Sequence, residues 1–419
     1  MHGRGAARGG ALALLLAGPA LAQETAPAAP ASPPPPEGRL GRFRLGPVYL
    51  TPSFRVRTVG LDTNVFYTPT DRRTDLTAAA GPALELLLPV SAAGRLVTDG
   101  ALDYLYFLRT ESERQLAGSG RARLEWKTTR SSAGIEEAYR RTYGRLGFEV
   151  DRRVFLEHES TGVEAKRRLA GRFGLGLHAS RGRFVVDADE PFLGTDLRRA
   201  LSRDVYQAGA ALEYHLTVKT EAVIQGEYQS DRFVEDVARD ADQPRVLAGL
   251  RTGETALVSG RALVGFRFFR LRGSAGGRRR VVAADLDATW NVSPRTRVGV
   301  GFQRDLSFSA FTPSETPTLL TRVLGARVDK ELTSRVDLRL FARRTRLRSD
   351  GAIEVELPDG GTVRAVRDDT AGELGADLGY RFRRRFRVGI AGAFTERRSS
   401  IATFGIDGLV VGATVTYVP

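Results

Sequence analysis

The chain has 419 residues, a formal net charge of +14, 42% hydrophobic residues, 46 glycines and no cysteine. The absence of cysteine excludes disulfides, thiolate metal sites, cysteine nucleophiles and a lipid-anchored cysteine. A helical membrane protein is excluded as well, because the longest apolar stretch, residues 11–22, is interrupted by Gly18 and Pro19 and is shorter than the roughly 20 residues that span a bilayer.

The first 46 residues are predicted to direct export of the protein and to form a linker before the folded domain. Residues 1–22 are predicted to be a signal peptide, because two arginines precede an apolar segment and the run ends on Ala-Leu-Ala. Residues 23–46 are rich in proline and alanine and are predicted to be an extended periplasmic linker. This linker serves either as a spacer or as a docking segment for a periplasmic export partner.

From residue 47 to residue 419, apolar and polar residues alternate in one segment after another. Near the C-terminus, Leu374, Ala376 and Leu378 share one face of a segment, whereas Glu373 and Asp377 share the other. A period of two predicts strands with one apolar face. The pattern predicts an all-β domain of about eighteen strands, within a range of sixteen to twenty.

The connections between these strands favour a membrane barrel over a soluble β-sandwich. Short turns, such as 293–295 and 333–334, alternate with longer polar loops, such as 60–73, 187–202 and 349–367. This alternation is typical of outer-membrane barrels. We therefore predict a transmembrane antiparallel up-and-down β-barrel in the bacterial outer membrane. An even number of strands places both chain ends on the short-turn side, facing the periplasm.

Aromatic residues cluster near the predicted strand ends, which predicts two girdles at the membrane interfaces. The girdle beside the short turns comprises Trp126, Tyr214, Trp290, Tyr380, Phe382 and Phe386. The girdle beside the long loops comprises Tyr104, Tyr106, Tyr228, Phe266 and Phe268. A general preference of aromatic residues for strands is the alternative explanation.

Charged residues at alternate positions are predicted to line a wet lumen of mixed charge. The candidate lumen-lining residues are Asp99, Asp103, Arg121, Arg123, Glu125, Lys127, Asp285, Asp287, Arg297, Asp305, Arg335, Asp337, Arg339, Glu373, Asp377 and Arg381. Acidic and basic ladders of this kind either set up a transverse field in an open pore or form salt bridges that close a narrow barrel.

Further arginines are predicted to lie mainly at the outer rim, and only four of the 63 basic residues are lysine. The rim set includes Arg152-Arg153, Arg278 to Arg280, Arg346, Arg348 and Arg397-Arg398. Because guanidinium groups suit bidentate phosphate binding, lipopolysaccharide and outer-membrane lipid are candidate partners. A genome rich in G and C is an equally good explanation of the arginine content. No nucleic-acid partner is expected.

The sequence offers little material for catalysis. His178 and Ser180 share a strand face, as in outer-membrane phospholipases, but the alternation turns both toward the lumen and away from lipid. The loop acids Asp187, Asp189 and Glu190 lack the spacing of a calcium loop, and the pairs Asp240 with Asp242 and Asp368 with Asp369 fit solvated loops equally well. We predict no catalytic residue, no metal site and no cofactor.

Two segments of the chain resemble a known family. Gly60 to Phe66, then Thr70 to Asp75 and a strand ending in Leu86 to Pro89, are similar to the N-terminal hairpin of the outer-membrane β-barrel porin family of Gram-negative bacteria. Residues 263–266 and 290–296 resemble its later strands and turns. The resemblance covers about residues 47–419. It implies a porin-like barrel and, for some members, a role in exopolysaccharide export.

Three functions follow as hypotheses, in order of preference. The first is a passive channel for polar solutes or saccharides. The second is a non-conducting structural or interaction barrel of an envelope polysaccharide assembly. The third is an outer-membrane enzyme that acts on lipid or peptide.

Overall fold

The computed structural model describes residues 43–417 except 147, 189–190, 254–255, 273–277, 313–317, 358–359 and 383–384. The predicted signal peptide and most of the predicted linker therefore lie outside the described residues. In the described part, nineteen strands form one antiparallel sheet. The strands are β1 (Phe43–Leu45), β2 (Val48–Asp62), β3 (Asp75–Pro89), β4 (Gly94–Phe107), β5 (Gln115–Lys127), β6 (Ser131–Leu146), β7 (Val150–Arg168), β8 (Phe173–Asp187), β9 (Arg203–His215), β10 (Thr220–Phe233), β11 (Ala241–Thr252), β12 (Val258–Leu271), β13 (Arg278–Ser293), β14 (Thr296–Phe308), β15 (Thr318–Glu331), β16 (Val336–Glu356), β17 (Thr362–Phe382), β18 (Phe386–Ser399) and β19 (Ile406–Tyr417).

Strands β2 to β19 close into an eighteen-stranded barrel, which confirms the predicted fold. Each strand pairs with its neighbours in sequence, and β19 closes the ring by pairing with β2, with Asp62 opposite Val410 and Phe54 opposite Tyr417. Strand β1 lies at the end of the predicted linker and pairs with the start of β2. Closure leaves the ring with no unpaired edge, which is the condition for a sheet in hydrocarbon.

The two ends of the barrel differ in their connections. At one end, the turn end, every connection has two to five residues, and both termini of the described chain lie there. The other end, the loop end, carries the connections that include helix α1 (Leu197–Leu201) and the 3-10 turns Glu111–Glu113, Val237–Arg239 and Ala402–Phe404. No helix in the described part of the chain is long and apolar enough to cross a membrane.

The predicted loop 349–367 at the loop end is wrong. Residues 349–367 are mostly a hairpin extension of β16 and β17, which reach 21 residues each. Alternation continues there through Ile353 and Val355, which are fully buried, so these residues pack against other protein segments instead of lipid. Strands β6 and β7 also extend toward each other, and only residues 147–149 separate them.

Candidate functional site

The barrel encloses a cavity of about 1160 Å³. Strands β2 to β7 and β13 to β19 line it, and it extends from Tyr67 and Arg153 near the loop end to residues 291–295 at the turn end. Barrels of this strand number have room for an aqueous channel. The cavity is therefore the place where a solute would pass.

Basic side chains outnumber acidic ones in the cavity wall by twelve to six. The acids are Asp62, Asp103, Asp329, Glu331, Asp337 and Asp377, and the bases are Arg55, Arg57, Arg140, Arg141, Arg145, Arg153, Arg295, Arg297, Lys330, Arg339, Arg381 and Arg387. The cavity wall thus carries charges of both signs, with the bases in twofold excess. Part of the arginine excess lies inside the barrel and favours anions there.

Ion pairs tie up most of the acids in the cavity. Arg339 contacts Asp329 at 2.6 Å, and Arg387 contacts Asp337 at 2.6 Å and also Asp377. By contrast, Arg55 and Arg297 make no ion pair or hydrogen bond to any described residue. These two guanidinium groups remain available to a passing anion.

Arg55 and Arg57 of β2 share the face that lines the cavity, and a β-bulge lies beside them. The pairing of β2 with β3 shifts between Val56 and Thr58, so Arg57 is the extra residue. Bulges re-aim side chains, and Arg57 donates to Asp103 at 2.6 Å. Sequence reasoning missed Arg55 and Arg57, because a bulge breaks the alternation that it relied on.

The structure distributes the predicted lumen residues over several settings. Asp103, Arg297, Asp337, Arg339, Asp377 and Arg381 line the cavity. Others form ion pairs between neighbouring strands: Arg121 with Asp99, Arg123 with Glu136, Glu125 with Arg95, Asp285 with Arg261, and Glu373 with Arg343. Lys127 and Asp287 are exposed. Arg335 lies in the turn before β16 and not in a strand, which corrects its predicted position. A role in transport stays a prediction for all of them.

The predicted girdle residues lie on the outer surface. Trp126, Trp290, Tyr380, Phe382 and Phe386 are exposed near the turn end, and Tyr214 packs on Phe173 with ring centroids 5.0 Å apart. Toward the loop end, Tyr104, Tyr228, Phe266 and Phe268 are exposed, and Tyr106 lies beneath the Arg114 guanidinium. Their contact with the membrane interfaces stays a prediction.

On the inner face of β9 to β14, hydrogen-bonded polar side chains form a buried cluster, here called the wall network, that fills this part of the barrel interior. Arg267, which is fully buried, holds Asp305 through two bonds of 2.6 and 2.8 Å. Arg245 bridges Asp305 and Glu227, at 3.3 and 2.9 Å. The other members of the wall network are Arg203, Gln229, Asp231 and Gln243. Asp305, predicted as a lumen charge, is thus a structural partner of two arginines.

A cluster of apolar side chains, here called the cap, gathers at the loop end. It joins residues of β7, β8, helix α1, the β14–β15 loop, the β16–β17 extension and the β18–β19 loop: Val150, Val154, Leu156, Val186, Leu197, Ala200, Leu201, Ala310, Phe311, Ile353, Val355, Ile401 and Phe404. Phe311 packs edge-on against Phe404 with centroids 5.3 Å apart. Each large apolar side chain buried in this way contributes about 1.5–3 kcal/mol.

Polar bonds of the cap cross the barrel mouth. Glu149, in the β6–β7 connection, accepts bonds from the Ser309 hydroxyl and, at 3.1 Å, from the Ala310 N–H. Arg397 of β18 donates to the Phe148 carbonyl and the Asp151 carboxylate. The bonded segments lie six or more strands apart in a ring of eighteen. The β6–β7 tip is therefore anchored to the far wall.

Two of these findings correct the predicted rim. Arg153 and Arg397 are buried at the loop end, whereas Arg398 is 83% exposed. Adjacent strand residues point to opposite faces, so one arginine of a consecutive pair enters the barrel. Arg279, also of the rim set, pairs with Asp350.

The cap is expected to make the barrel sensitive to pH through Glu149. Burial raises the pKa of the Glu149 carboxyl above its ordinary value of 4.5, although Arg367, Ser309 and the Ala310 N–H favour the charged form. The capped state therefore binds the proton more tightly than a state in which Glu149 meets water. Its contribution to the cap is complete below pH 4.5 and is lost as the pH rises through the raised pKa.

We expect the open probability in a planar bilayer to increase as the pH rises above about 4.5. Glu149→Gln serves as the matched control, because its amide can donate to Ser309 and accept from Ala310 but does not titrate. An equal pH response in Glu149→Gln would assign the effect to another group.

The candidate catalytic and metal residues have structural partners. His178 faces inward across Gly209, where an added Cβ would meet the imidazole at 2.4 Å, and Ser180 Oγ lies 3.3 Å from Gln207. Asp242 binds Arg232 and Arg272, and Asp368 binds Arg346. Asp189 and Glu190 lie outside the described residues. Among the residues that are described, no three His, Asp or Glu side chains gather as a metal site.

Comparison with known proteins supports the barrel assignment. A family model described as "Putative beta-barrel porin 2" matches residues 43–418. No curated protein matches the chain. Solved structures with similarity include the siderophore receptor PirA from Acinetobacter baumannii (6% identity, 88% of this chain and 80% of that chain, TM-score 0.44), the copper transporter OprC (10%, 90% and 66%, 0.46) and a bacterial polysaccharide outer membrane secretin (9%, 88% and 98%, 0.37). Similarity at this level does not identify a ligand.

Proposed function

Since the chain belongs to the "Putative beta-barrel porin 2" family, we propose that this outer-membrane β-barrel is a passive channel for polar solutes or saccharides, with a preference for anions. The observation that carries the proposal is the charged cavity of about 1160 Å³ inside an eighteen-stranded ring. Outer-membrane barrels that conduct have a polar, water-filled interior. Passage through it needs no catalytic residue, so the proposed function is not enzymatic. Exopolysaccharide export stays a prediction from the family resemblance.

A liposome-swelling assay tests the proposed transport. Proteoliposomes that contain the purified full chain are expected to swell in isotonic solutions of small neutral sugars, at a rate that falls with sugar size. The assay is run with folded protein at a pH at which the Glu149 carboxyl has lost its proton. If these proteoliposomes then swell no faster than protein-free liposomes, the barrel is not an open channel.

The cap gives specific support to a second candidate, a non-conducting structural barrel. Bonds that join opposite walls stabilise a closed mouth, and the wall network fills part of the interior with side chains. On this alternative, removing the cap would destabilise the barrel without producing a current.

Ion selectivity should depend on Arg55 and Arg297, two cavity arginines that form no ion pair with any described residue. Because they add positive charge with no internal counter-ion, wild-type protein is expected to pass chloride in preference to potassium. Arg55→Gln combined with Arg297→Gln should shift the reversal potential in a KCl gradient toward zero by a measurable fraction. Arg181→Gln, on the outer face of β8, removes the same charge outside the cavity and should leave the potential unchanged. Equal shifts in both variants would refute the assignment.

A further inference from the structure

Four arginines form a row on the outer surface of the barrel. Arg304 of β14 is opposite Arg322 of β15, and Arg322 is opposite Arg346 of β16. The row continues through Thr370 of β17 to Arg398 of β18. With about 4.8 Å between strands, the row extends over roughly 19 Å.

The row lies where the apolar outer surface ends. The outward positions of β16 are occupied from the turn end by Leu338, Leu340 and Ala342, and then by Arg344, Arg346 and Arg348. On β18, Ile390 and Phe394 precede Glu396 and Arg398 in the same way. An apolar band that changes abruptly to arginine marks the level of the lipid headgroups.

The row has too little internal counter-charge. Arg346 binds Asp368 through two bonds of 2.9 and 2.6 Å, and Arg398 binds Glu396 at 2.8 Å. Arg304 and Arg322 form no ion pair or hydrogen bond with any described residue, and the Arg304 Nε is buried without a partner. Like charges directly opposite each other on neighbouring strands are destabilising. An external anion is therefore needed to neutralise the row.

We propose that this arginine row binds the phosphate groups of lipopolysaccharide in the outer leaflet. Guanidinium groups bind phosphate through two parallel hydrogen bonds, and such bonds are strongest where water is scarce. The row presents several of these groups side by side at the level of the headgroups, whereas a zwitterionic phospholipid brings an ammonium group that opposes binding. The lipid phosphates occupy the positions between Arg304, Arg322 and Arg346.

The test titrates purified full-length protein in neutral detergent with three probes: diphosphorylated lipid A, dephosphorylated lipid A and phosphatidylglycerol. We expect the diphosphorylated lipid to bind at least about tenfold more tightly than the other two, because it alone forms several charge-assisted bonds. Arg322→Gln combined with Arg346→Gln should remove this tenfold advantage. Arg168→Gln combined with Arg172→Gln, at exposed arginines of the turn end, should retain it.

Two results would overturn the proposal: equal binding of phosphorylated and dephosphorylated lipid A by the wild type, or unchanged preference in the row variant. Phosphatidylglycerol binding as tight as that of lipid A would also overturn the assignment to lipopolysaccharide. The comparison of phosphorylated with dephosphorylated lipid A on wild-type protein tests the proposal even if the row variant does not fold. In lipid-free detergent, the row variant should unfold at about the wild-type temperature, because the lost like-charge repulsion offsets the lost exposed pair of Arg346 with Asp368.

Discussion

At a pH below about 4.5, where the contribution of Glu149 to the cap is complete, Arg397→Ala is expected to convert a largely closed barrel into a conducting one. The Arg397 side chain is fully buried and bonds to the Phe148 and Phe404 carbonyls and the Asp151 carboxylate. Alanine would remove these anchors of the β6–β7 tip, and among the described residues the buried Asp151 would keep only the distant Arg145, at 3.7 Å. Removing one partner of a buried ion pair costs about 3–5 kcal/mol, which is enough to shift a closed mouth toward an open one by several hundredfold or more.

The measurement is the mean current per inserted barrel in a planar bilayer. Arg398→Ala is the matched control, because it deletes the neighbouring arginine, which faces outward and binds only Glu396 among the described residues. We expect the current to rise in Arg397→Ala and to stay at the wild-type level in Arg398→Ala. Similar currents in all three proteins would show that the cap does not limit conduction.

Asp305→Ala is expected to produce the largest loss of stability among the charged residues of the barrel wall. The change removes the carboxylate that binds both Arg267 and Arg245 and leaves a fully buried guanidinium without its anion. We expect the free energy of unfolding to fall by about 3–5 kcal/mol. Urea unfolding in detergent, followed by the fluorescence of Trp126 and Trp290, measures the loss.

Asp99→Ala is the control for this experiment. Asp99 pairs with Arg121 in an exposed salt bridge, and such pairs contribute about 0–1 kcal/mol. Replacing Asp305 and Arg267 together by leucine and methionine should recover most of the stability, because no buried charge is then left unpaired. If Asp305→Ala and Asp99→Ala destabilise the barrel equally, the wall network is not a stabilising element.

Alternation in the sequence was sufficient to predict the barrel, because lipid on one side and water on the other require opposite chemistry at successive residues. Leu374, Glu373 and Asp377 illustrate it: the leucine is 62% exposed on the outer surface, and both acids face inward. The same alternation predicted the direction in which His178 and Ser180 point. It also placed Asp305 correctly on the inner face.

The alternation of apolar and polar residues could predict neither the cap nor the bulge in β2. The bonds of Glu149 with Ser309 and Ala310 join positions about 160 residues apart, and nothing in the local pattern at either segment indicates the other. The extended alternation at Ile353 and Val355 did carry a signal, because a solvated loop has no need of two apolar residues on one face. In β2, the extra residue Arg57 offsets the inward and outward positions before the bulge from those after it. The alternation therefore did not identify Arg55 and Arg57 as cavity residues.

Crosslinking across the barrel mouth tests whether the cap closes the channel. Because the chain has no cysteine, Glu149→Cys combined with Ser309→Cys introduces the only two thiols, at positions that are bonded in the capped state. Current through this variant is expected to be high before treatment and after N-ethylmaleimide, and to fall to the closed level after a short bifunctional maleimide. A current that the bifunctional reagent leaves unchanged in fully crosslinked protein, or no current before treatment from folded protein, would contradict the account.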